Sequence, residues 1–485
     1  AGTDRGSVHV FNSGLEQIAM YSLSDLAESL GVVGSTAVLA VDMLGYATRH
    51  CEGEGLRIAI GTSAGQILEL EGPRITPSGG TEPMTAESLH PAGPLVQGHS
   101  GQREVWGLAA QRGTGAPGTP ISTLRPMPGS EAGPSASPPP SLDQETLFAT
   151  AGDDGTVRVW SATSKRMLAV EDYAGDLPRS IAWSSSLELA SSSGRLGSAA
   201  VAQAARLPDE PTADASLLVV GFGGRKGRRS RSSNKASSTG GTELLSVSVS
   251  PTRVLLARAS TARGPGAGVN DVKFAHASDL VEKGRHLVAV AHEDGLIAVL
   301  EAQRDPHQHE EWSLVPARGH SGEASTRRHS GQATHVDFSA DCNFLQTNGA
   351  DCELLFHRAR PEGAGTSGGA SRLATGKGLR NEKWATWTCT LGWPVQGIWP
   401  EAGSGSEINA VDRSQSSDLV ATACEDGSVR LFRYPCVARS GFVQGLAHSS
   451  RVTNVQFLDN DRRLVSCGGS DGTIMQWTVE AGMTV

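Results

Sequence analysis

The 485 residues carry 51 Asp and Glu against 42 Lys and Arg, and the formal net charge of −9 argues against a molecule built as a whole to sit on nucleic acid or an acidic membrane. Hydrophobic content of 38% with 59 glycines and 24 prolines suits many short strands joined by polar loops better than long helices. No apolar run approaches the ~20 residues that span a bilayer, and seven scattered cysteines without a C-x-x-C pair fit a reducing compartment better than a disulfide framework.

In chain order, the opening GSVHVF (residues 6–11) matches only the end of the repeat that follows. Residues 1–20 must complete either this ring or a preceding propeller, of which they are taken as the end, and the chain is expected to be part of a longer protein. Next comes LRIAIGTSAGQILEL (56–70), a weak copy with Ala64-Gly65 in its turn. Four segments then share an apolar strand, an Asp-Gly turn and an alternating strand: LFATAGDDGTVRVW (147–160), LVAVAHEDGLIAVL (287–300), LVATACEDGSVRLF (419–432) and LVSCGGSDGTIMQW (464–477). Gly tolerates positive φ and Asp bonds its own backbone, so Asp-Gly marks a tight turn. The alternation after it has the period of a strand with one inward face. LLVVGFGG (217–224) and ELLSVSV (243–249) read as one such pair split by an insertion, and FLQTNGADCELLFH (344–357) keeps Asp351 with Cys352 in place of Gly. Asp426 and Asp471 lie 45 residues apart, the length of one four-stranded blade.

The fold expected is all-β: a WD-repeat β-propeller of about seven four-stranded blades over residues 21–485. Low-complexity inserts at about 111–144, 224–241, 302–328 and 359–380 are expected to be disordered unless a partner orders them, because loop closure entropy rises only slowly with length.

Two blades carry a hydrogen-bonded set in which buried polar groups satisfy one another. The first is His99, Thr150, Asp154 and Trp160, with the indole donating to the threonine hydroxyl. The second is His448, Asp471 and Trp477, where Cys467 stands at the position of the hydroxyl. Their expected role is structural.

Motifs that suggest chemistry fare poorly. G-x-S-x-G occurs around Ser63 and Ser470, but both matches fall in a strand-turn-strand where small residues serve the turn, and a nucleophile elbow needs a strand feeding a helix. His307 and His309 lack the H-E-x-x-H spacing, and the Lys377 segment lacks both the first glycine and the Ser or Thr of a phosphate loop. No enzyme activity, metal or other cofactor is expected. Arg225, Lys226, Arg228, Arg229, Arg231 and Lys235 form a basic block in an otherwise acidic chain, a candidate contact for an acidic partner set against a solvated loop.

The most specific segment is WATWTCTLGWPVQGIWP (384–400), with four tryptophans in seventeen residues and no strand or helix period. It is expected to be a packed irregular plug built on Trp384, Trp387, Cys389, Gly392, Trp393, Trp399 and Pro400. In order, W-x-x-W-T-C-x-L-G, G-I-W-P, I-N-x-V-D-R-S, F-x-Y-P-C and H-S-S-x-V-T-N-V resemble the C-terminal propeller of the echinoderm microtubule-associated protein-like (EMAP-like) family. LVQGHSGQREVWGLAA (95–110) and KRMLAV (165–170) resemble its earlier blades. The resemblance implies a tandem pair of atypical propellers and a non-catalytic scaffold that binds tubulin or other microtubule-associated proteins, in the cytoplasm and cytoskeleton and in a ciliary axoneme in particular. The hydrophobic motif of the family's first propeller is absent from this stretch, and the large inserts depart from compact members. The alternative is a generic WD-repeat adaptor, such as a ubiquitin-ligase substrate receptor or a trafficking subunit, which predicts a basic or hydrophobic channel mouth that reads short peptides.

Overall fold

The computed structural model describes residues 2–11, 15, 17–23, 37–44, 55–62, 67–74, 90–96, 99, 104–110, 123–126, 146–173, 176–184, 216–223, 239–249, 254–265, 267–275, 285–304, 312–317, 329–360, 376–399, 407–439, 441–458 and 461–480. The chain divides into one unit of residues 1–103 with 166–168 and a second of residues 104–165 and 169–485. In the first, β1 (Ser7–Phe11) and β2 (Gln17–Ser22) form an antiparallel pair. Four more strands, β3 (Val38–Leu44), β4 (Gly55–Thr62), β5 (Ile67–Arg74) and β6 (His90–Val96), form a meander with Ile58, Ile60 and Leu68 buried.

The second unit begins with β7 (Val105–Ala110), then β8 (Thr123–Pro126), which pairs far along the chain. Blade 1 joins β7 to β9 (Leu147–Gly152), β10 (Thr156–Ser161) and β11 (Met167–Asp172). Blade 2 is β12 (Pro178–Trp183), β13 (Ser216–Phe222), β14 (Thr239–Val249) and β15 (Val254–Pro265). Blade 3 is β16 (Val269–Phe274), β17 (Arg285–His292), β18 (Ile297–Arg304) and β19 (Trp312–Pro316). Among the described residues blade 4 has three strands, β20 (Ala333–Phe338), β21 (Phe344–Gly349) and β22 (Leu354–Arg358). Blade 5 is β23 (Ile408–Arg413), β24 (Leu419–Cys424), β25 (Ser428–Arg433) and β26 (Val443–Leu446). Blade 6 is β27 (Val452–Leu458), β28 (Arg463–Gly468) and β29 (Ile474–Glu480), completed by β8.

The second strand of each blade is packed on both faces by neighbouring blades. That is why β9, β13 and β24 are buried at every position and read as unbroken small and apolar runs rather than alternating ones. The turn reading holds in the backbone: Gly155 and Gly427 stand at φ +86° and +81°, where a side chain is strained. Cys352 adopts φ +60° at the same place without glycine's freedom.

Ring closure corrects the expected blade count. Asn454 Nδ2 on β27 donates to Trp106 O on β7 at 3.0 Å. Gln456 Nε2 donates to Leu108 O at 2.8 Å, and its Oε1 accepts the Ala110 N–H at 2.7 Å. The ring thus shuts after six blades, not seven. The sheet β3–β6, which the repeat pattern had contributed as a blade, belongs to the other unit.

Composition also misplaced some strands. β8 lies in the insert read at 111–144, β19 in the one read at 302–328, and β14 begins inside 224–241. A blade edge offers backbone partners to any chain that can extend, so local polarity does not forbid a strand. The rest of 111–144 and of 224–241, with 305–311, 318–328 and 361–375, lies outside the described residues.

Candidate functional site

One end of the ring is defined by a hydrogen bond that recurs in every blade. The residue following the second strand donates its N–H to the carbonyl just before the inner strand. The pairs are Asp153 to Glu104 (2.9 Å), Gly223 to Leu177, Glu293 to Gly268, Ala350 to Gln332 and Gly469 to Arg451 (each 2.8 Å), and Glu425 to Glu407 (2.9 Å). Each inner strand then carries a register shift at its second residue: Trp106, Arg179, Asn270, Thr334, Asn409 and Thr453. A bulge re-aims a side chain, and all six of these residues line a channel of about 560 Å³ between the inner strands.

Trp106 is the hub of this mouth. The guanidinium of Arg179 lies 5.3 Å from its ring centre and that of Arg451 lies 5.0 Å away, both within cation–π range. Arg179 pairs with Asp153 of blade 1 at 3.0 Å and reaches Glu293 of blade 3 at 3.8 Å. Arg451 pairs with Glu104 of blade 1 at 2.6 Å and reaches Glu425 of blade 5 at 3.8 Å. Two arginines thereby clasp five of the six blades. With Glu407 at the same level, carboxylates outnumber cations at this mouth.

Inside, Asp271 pairs with Lys273 Nζ at 2.6 Å and its other oxygen accepts the Val336 N–H of the next blade at 3.0 Å. Asp412 likewise accepts the Phe457 N–H at 2.8 Å. Burial pushes the His335 imidazole below its ordinary value, opposed by Asp271 and reinforced by Lys273.

Between blades 4 and 5 the inner-strand carboxylate meets the tryptophan plug instead of the next strand. Asp337 accepts from Thr386 Oγ1 (2.5 Å), Thr388 N (2.9 Å), Thr388 Oγ1 (3.0 Å) and Cys389 N (3.0 Å). Burial alone would raise this carboxyl, but the Lys273 charge and these donors outweigh it and hold it below the carboxylate range. Trp384 and Trp387 are buried edge to face at 6.5 Å, and Trp387 Nε1 donates to Cys389 O at 2.9 Å. Gly392 sits against the Trp387 ring, where a Cβ would collide. Trp399 Nε1 donates to Thr390 O at 3.0 Å, while Trp393 is 63% exposed. Pro400 lies outside the described residues, as do Arg225, Lys226, Arg228, Arg229, Arg231 and Lys235.

The blade networks are arranged as follows. Trp160 Nε1 donates to Thr150 Oγ1 at 2.8 Å, and Asp154 accepts from Thr156 and from Arg158 at 3.0 Å; His99 is buried in the other unit. In blade 6, His448 bonds Asp471 through Nδ1 (3.3 Å) and Ser466 Oγ through Nε2 (2.7 Å), and Trp477 Nε1 donates to Ser466 Oγ at 2.8 Å. The hydroxyl therefore comes from Ser466 and not from the position of Cys467. The β28–β29 turn is one residue longer than that of β9–β10: Ser466 faces Met475, whereas Thr150 faces Arg158. Since side chains alternate, one extra residue exchanges the two faces. Blade 4 holds a third network that sequence reading missed: His329 bonds Asp351 (3.2 Å) and Thr347 (2.9 Å), and His357 takes the tryptophan's place on Thr347 at 3.1 Å. The signal was His329-Ser330, placed before Asp351 much as His448-Ser449 is before Asp471.

Ser466–His448–Asp471 has the connectivity of a hydrolytic triad, yet Ser466 is fully buried and its oxygen already accepts an indole N–H. The same arrangement at Thr347 shows a repeated structural device. Ser470 is exposed in a strand-to-strand turn, and Ser63 lies outside the described residues. His329, Asp351 and Glu353 place ligand atoms within 4.8 Å of one another, but both His329 nitrogens are engaged within the blade.

Comparison with known proteins accords with this architecture. The profile described as "Echinoderm microtubule-associated protein second beta-propeller" matches residues 230–479, and a WD-domain, G-beta repeat profile matches residues 140–161. The chain is 42% identical over 154 residues to echinoderm microtubule-associated protein-like 1 of Rattus norvegicus, a match covering 31% of this chain and 18% of the relative. It is 40% identical over 152 residues to echinoderm microtubule-associated protein-like 3 of Homo sapiens, covering 31% and 16%. It is also 40% identical over 152 residues to the 77 kDa echinoderm microtubule-associated protein of Lytechinus variegatus, covering 31% and 22%. The matched stretch thus spans less than a quarter of each relative's length. Because the second-propeller profile covers just over half of the 485 residues, the chain belongs to the EMAP-like family.

Proposed function

We propose that this chain is a non-catalytic microtubule-associated scaffold that binds tubulin or a lattice-bound partner through loops at the rims of its ring, in a stable array such as a ciliary axoneme. The observation that carries the reading is family membership: three relatives with 40–42% identity are each named as microtubule-associated or as like such a protein. The basic block from Arg225 to Lys235 is a proposed contact for an acidic partner. It follows Gly223, whose N–H makes the recurrent bond at the channel mouth. Residues 1–20 are proposed to end a preceding propeller, with β1 as its closing strand.

The adaptor reading expects a basic or hydrophobic mouth, whereas Glu104, Asp153, Glu293, Glu407 and Glu425 outnumber Arg179 and Arg451 there. Co-sedimentation with polymerised tubulin tests the proposal. The chain should pellet with the polymer and lose affinity as salt rises. Failure to pellet, alone and with extract from ciliated cells, would overturn it, and proximity labelling that returns ligase or coat subunits without tubulin would favour the adaptor.

A further inference from the structure

One corner of the channel mouth holds polar groups that the fold leaves unpaired. Trp106 Nε1 and Ser180 Oγ are both buried without a hydrogen-bond partner, and both residues line the channel. Ser180 is only 4% exposed. Buried donors are nearly always paired, because leaving one unmade forfeits its bond to water. The carboxylate of Glu293, 26% exposed in the same lining, accepts no hydrogen bond among the described residues. Its ion contact is Arg179 Nη1 at 3.8 Å, and that guanidinium already gives Nε and Nη2 to Asp153 at 3.0 and 3.3 Å. Arg179 joins the three groups: it precedes Ser180, faces Glu293 and lies 5.3 Å from the centre of the Trp106 ring.

We infer that Trp106, Ser180 and Glu293 form a binding site for a basic segment of a partner protein. A lysine or arginine side chain pairs with Glu293, and backbone carbonyls beside it accept from the Trp106 indole and the Ser180 hydroxyl. The chemistry of the three groups selects this occupant. An indole N–H only donates and an ionised carboxylate only accepts, so the guest must bring acceptors and a cationic donor close together. A basic residue within a peptide carries both. Arg179 and Arg451 cover the faces of Trp106, so the guest meets the edge of the ring and its cation has no face to stack on. Depth is set by charge. Lys273 lines the channel near the far end of β16, with Asp271 at 2.6 Å already neutralising it, so an entering cation stops at the level of Glu293. A cavity of about 560 Å³ is of the size that holds small ligands. The opposing view is that ordered water alone satisfies both donors.

Nuclear magnetic resonance of the full chain, labelled with ¹⁵N at its nine tryptophan indoles, decides between them. Trp106→Phe identifies the Trp106 signal by its loss. The probes are the capped pentapeptide Gly-Ser-Arg-Ser-Gly and its forms with lysine, norleucine or glutamate at the centre. The arginine and lysine peptides should move the Trp106 indole signal and saturate, more weakly as salt rises, while the norleucine and glutamate peptides leave it in place. Glu293→Gln, on a part-exposed side chain, should keep the fold and weaken the arginine peptide by about tenfold. Ser180→Ala should weaken it as well; if that variant unfolds, Glu293→Gln still decides. No movement of the Trp106 signal with any peptide would leave water as the occupant and overturn the inference. So would equal binding of the norleucine peptide, or unchanged affinity in Glu293→Gln. Binding that appears only after deletion of residues 225–235 would also overturn it, assigning the corner to the chain's own basic block. None of these readouts involves tubulin, so the site stands or falls apart from the microtubule reading.

Discussion

Asp337 accepts the backbone N–H of Thr388 at 2.9 Å, so a buried carboxylate on the inner strand of blade 4 holds the tryptophan plug in the wall of the channel. Elsewhere the same kind of carboxylate bonds the next inner strand directly, as Asp271 does to Val336 and Asp412 to Phe457. The plug therefore takes the place at this seam that a neighbouring strand takes at the others.

Replacing Asp337 with Asn should be severe. An amide turns one donor group toward a nest made of donors, and the second oxygen that accepts Cys389 N is lost. Asp337→Asn is expected to cost about 3 kcal/mol, read as a lower urea midpoint, with the emission of Trp384 and Trp387 shifting red at a lower denaturant concentration than in the parent.

The register in blade 6 makes a paired prediction. Ser466→Ala strands His448 Nε2 and Trp477 Nε1 in a buried site and should cost about 2 kcal/mol. Cys467→Ser should bring no gain, since that side chain lies on the opposite, fully buried face. Chemical denaturation of the two variants checks this; stabilisation by Cys467→Ser would mean that the thiol, after all, occupies the hydroxyl's place.

Acid should loosen blades 4 and 6 together. Burial would raise Asp351 and Asp471, but His329, His448 and the donating backbone N–H groups hold both at about 2, below the ordinary 3.8. A lowered folded-state pKa gives stability that is fully present above the ordinary value and is lost as pH falls through the lowered one. Unfolding free energy should therefore drop between pH ~4 and ~2, and Asp471→Asn should flatten part of that slope while lowering stability at neutral pH.

The mouth clasp should act on ring closure. Arg451→Ala removes the link from blade 6 to Glu104 and one face of the Trp106 sandwich, at a cost of about 1 kcal/mol because the pair is part-exposed. Faster amide exchange in β7 and β27 than in β13 and β17 would show that the loss is local to the seam, and added salt should shrink the difference.

The repeat itself was legible because turns and alternation are local. Asp154-Gly155 and Asp426-Gly427 announce their hairpins, and the apolar runs at 147–152 and 419–424 announce strands buried on both faces. Blade number was not legible, because closure rests on Gln456 reaching β7 across 346 residues of chain. Ser466 was missed because one residue added to a turn swaps the faces of a strand. His329 was missed because His357 and Cys352 replace the tryptophan and glycine that draw the eye. The arginine clasp on Trp106 had no signature at all, since its seven members come from five separate blades and only the folded ring brings them to one rim.

The outermost strand of blade 6 is synthesised as part of the connection between β7 and β9, long before the strand it pairs with exists. During translation Thr123–Pro126 must wait, unpaired, until Ile474–Glu480 has left the ribosome. Completion of blade 6 therefore follows the inner-strand contacts between β27 and β7, and a chain truncated ahead of β29 would keep those contacts but leave β8 without a strand to pair with.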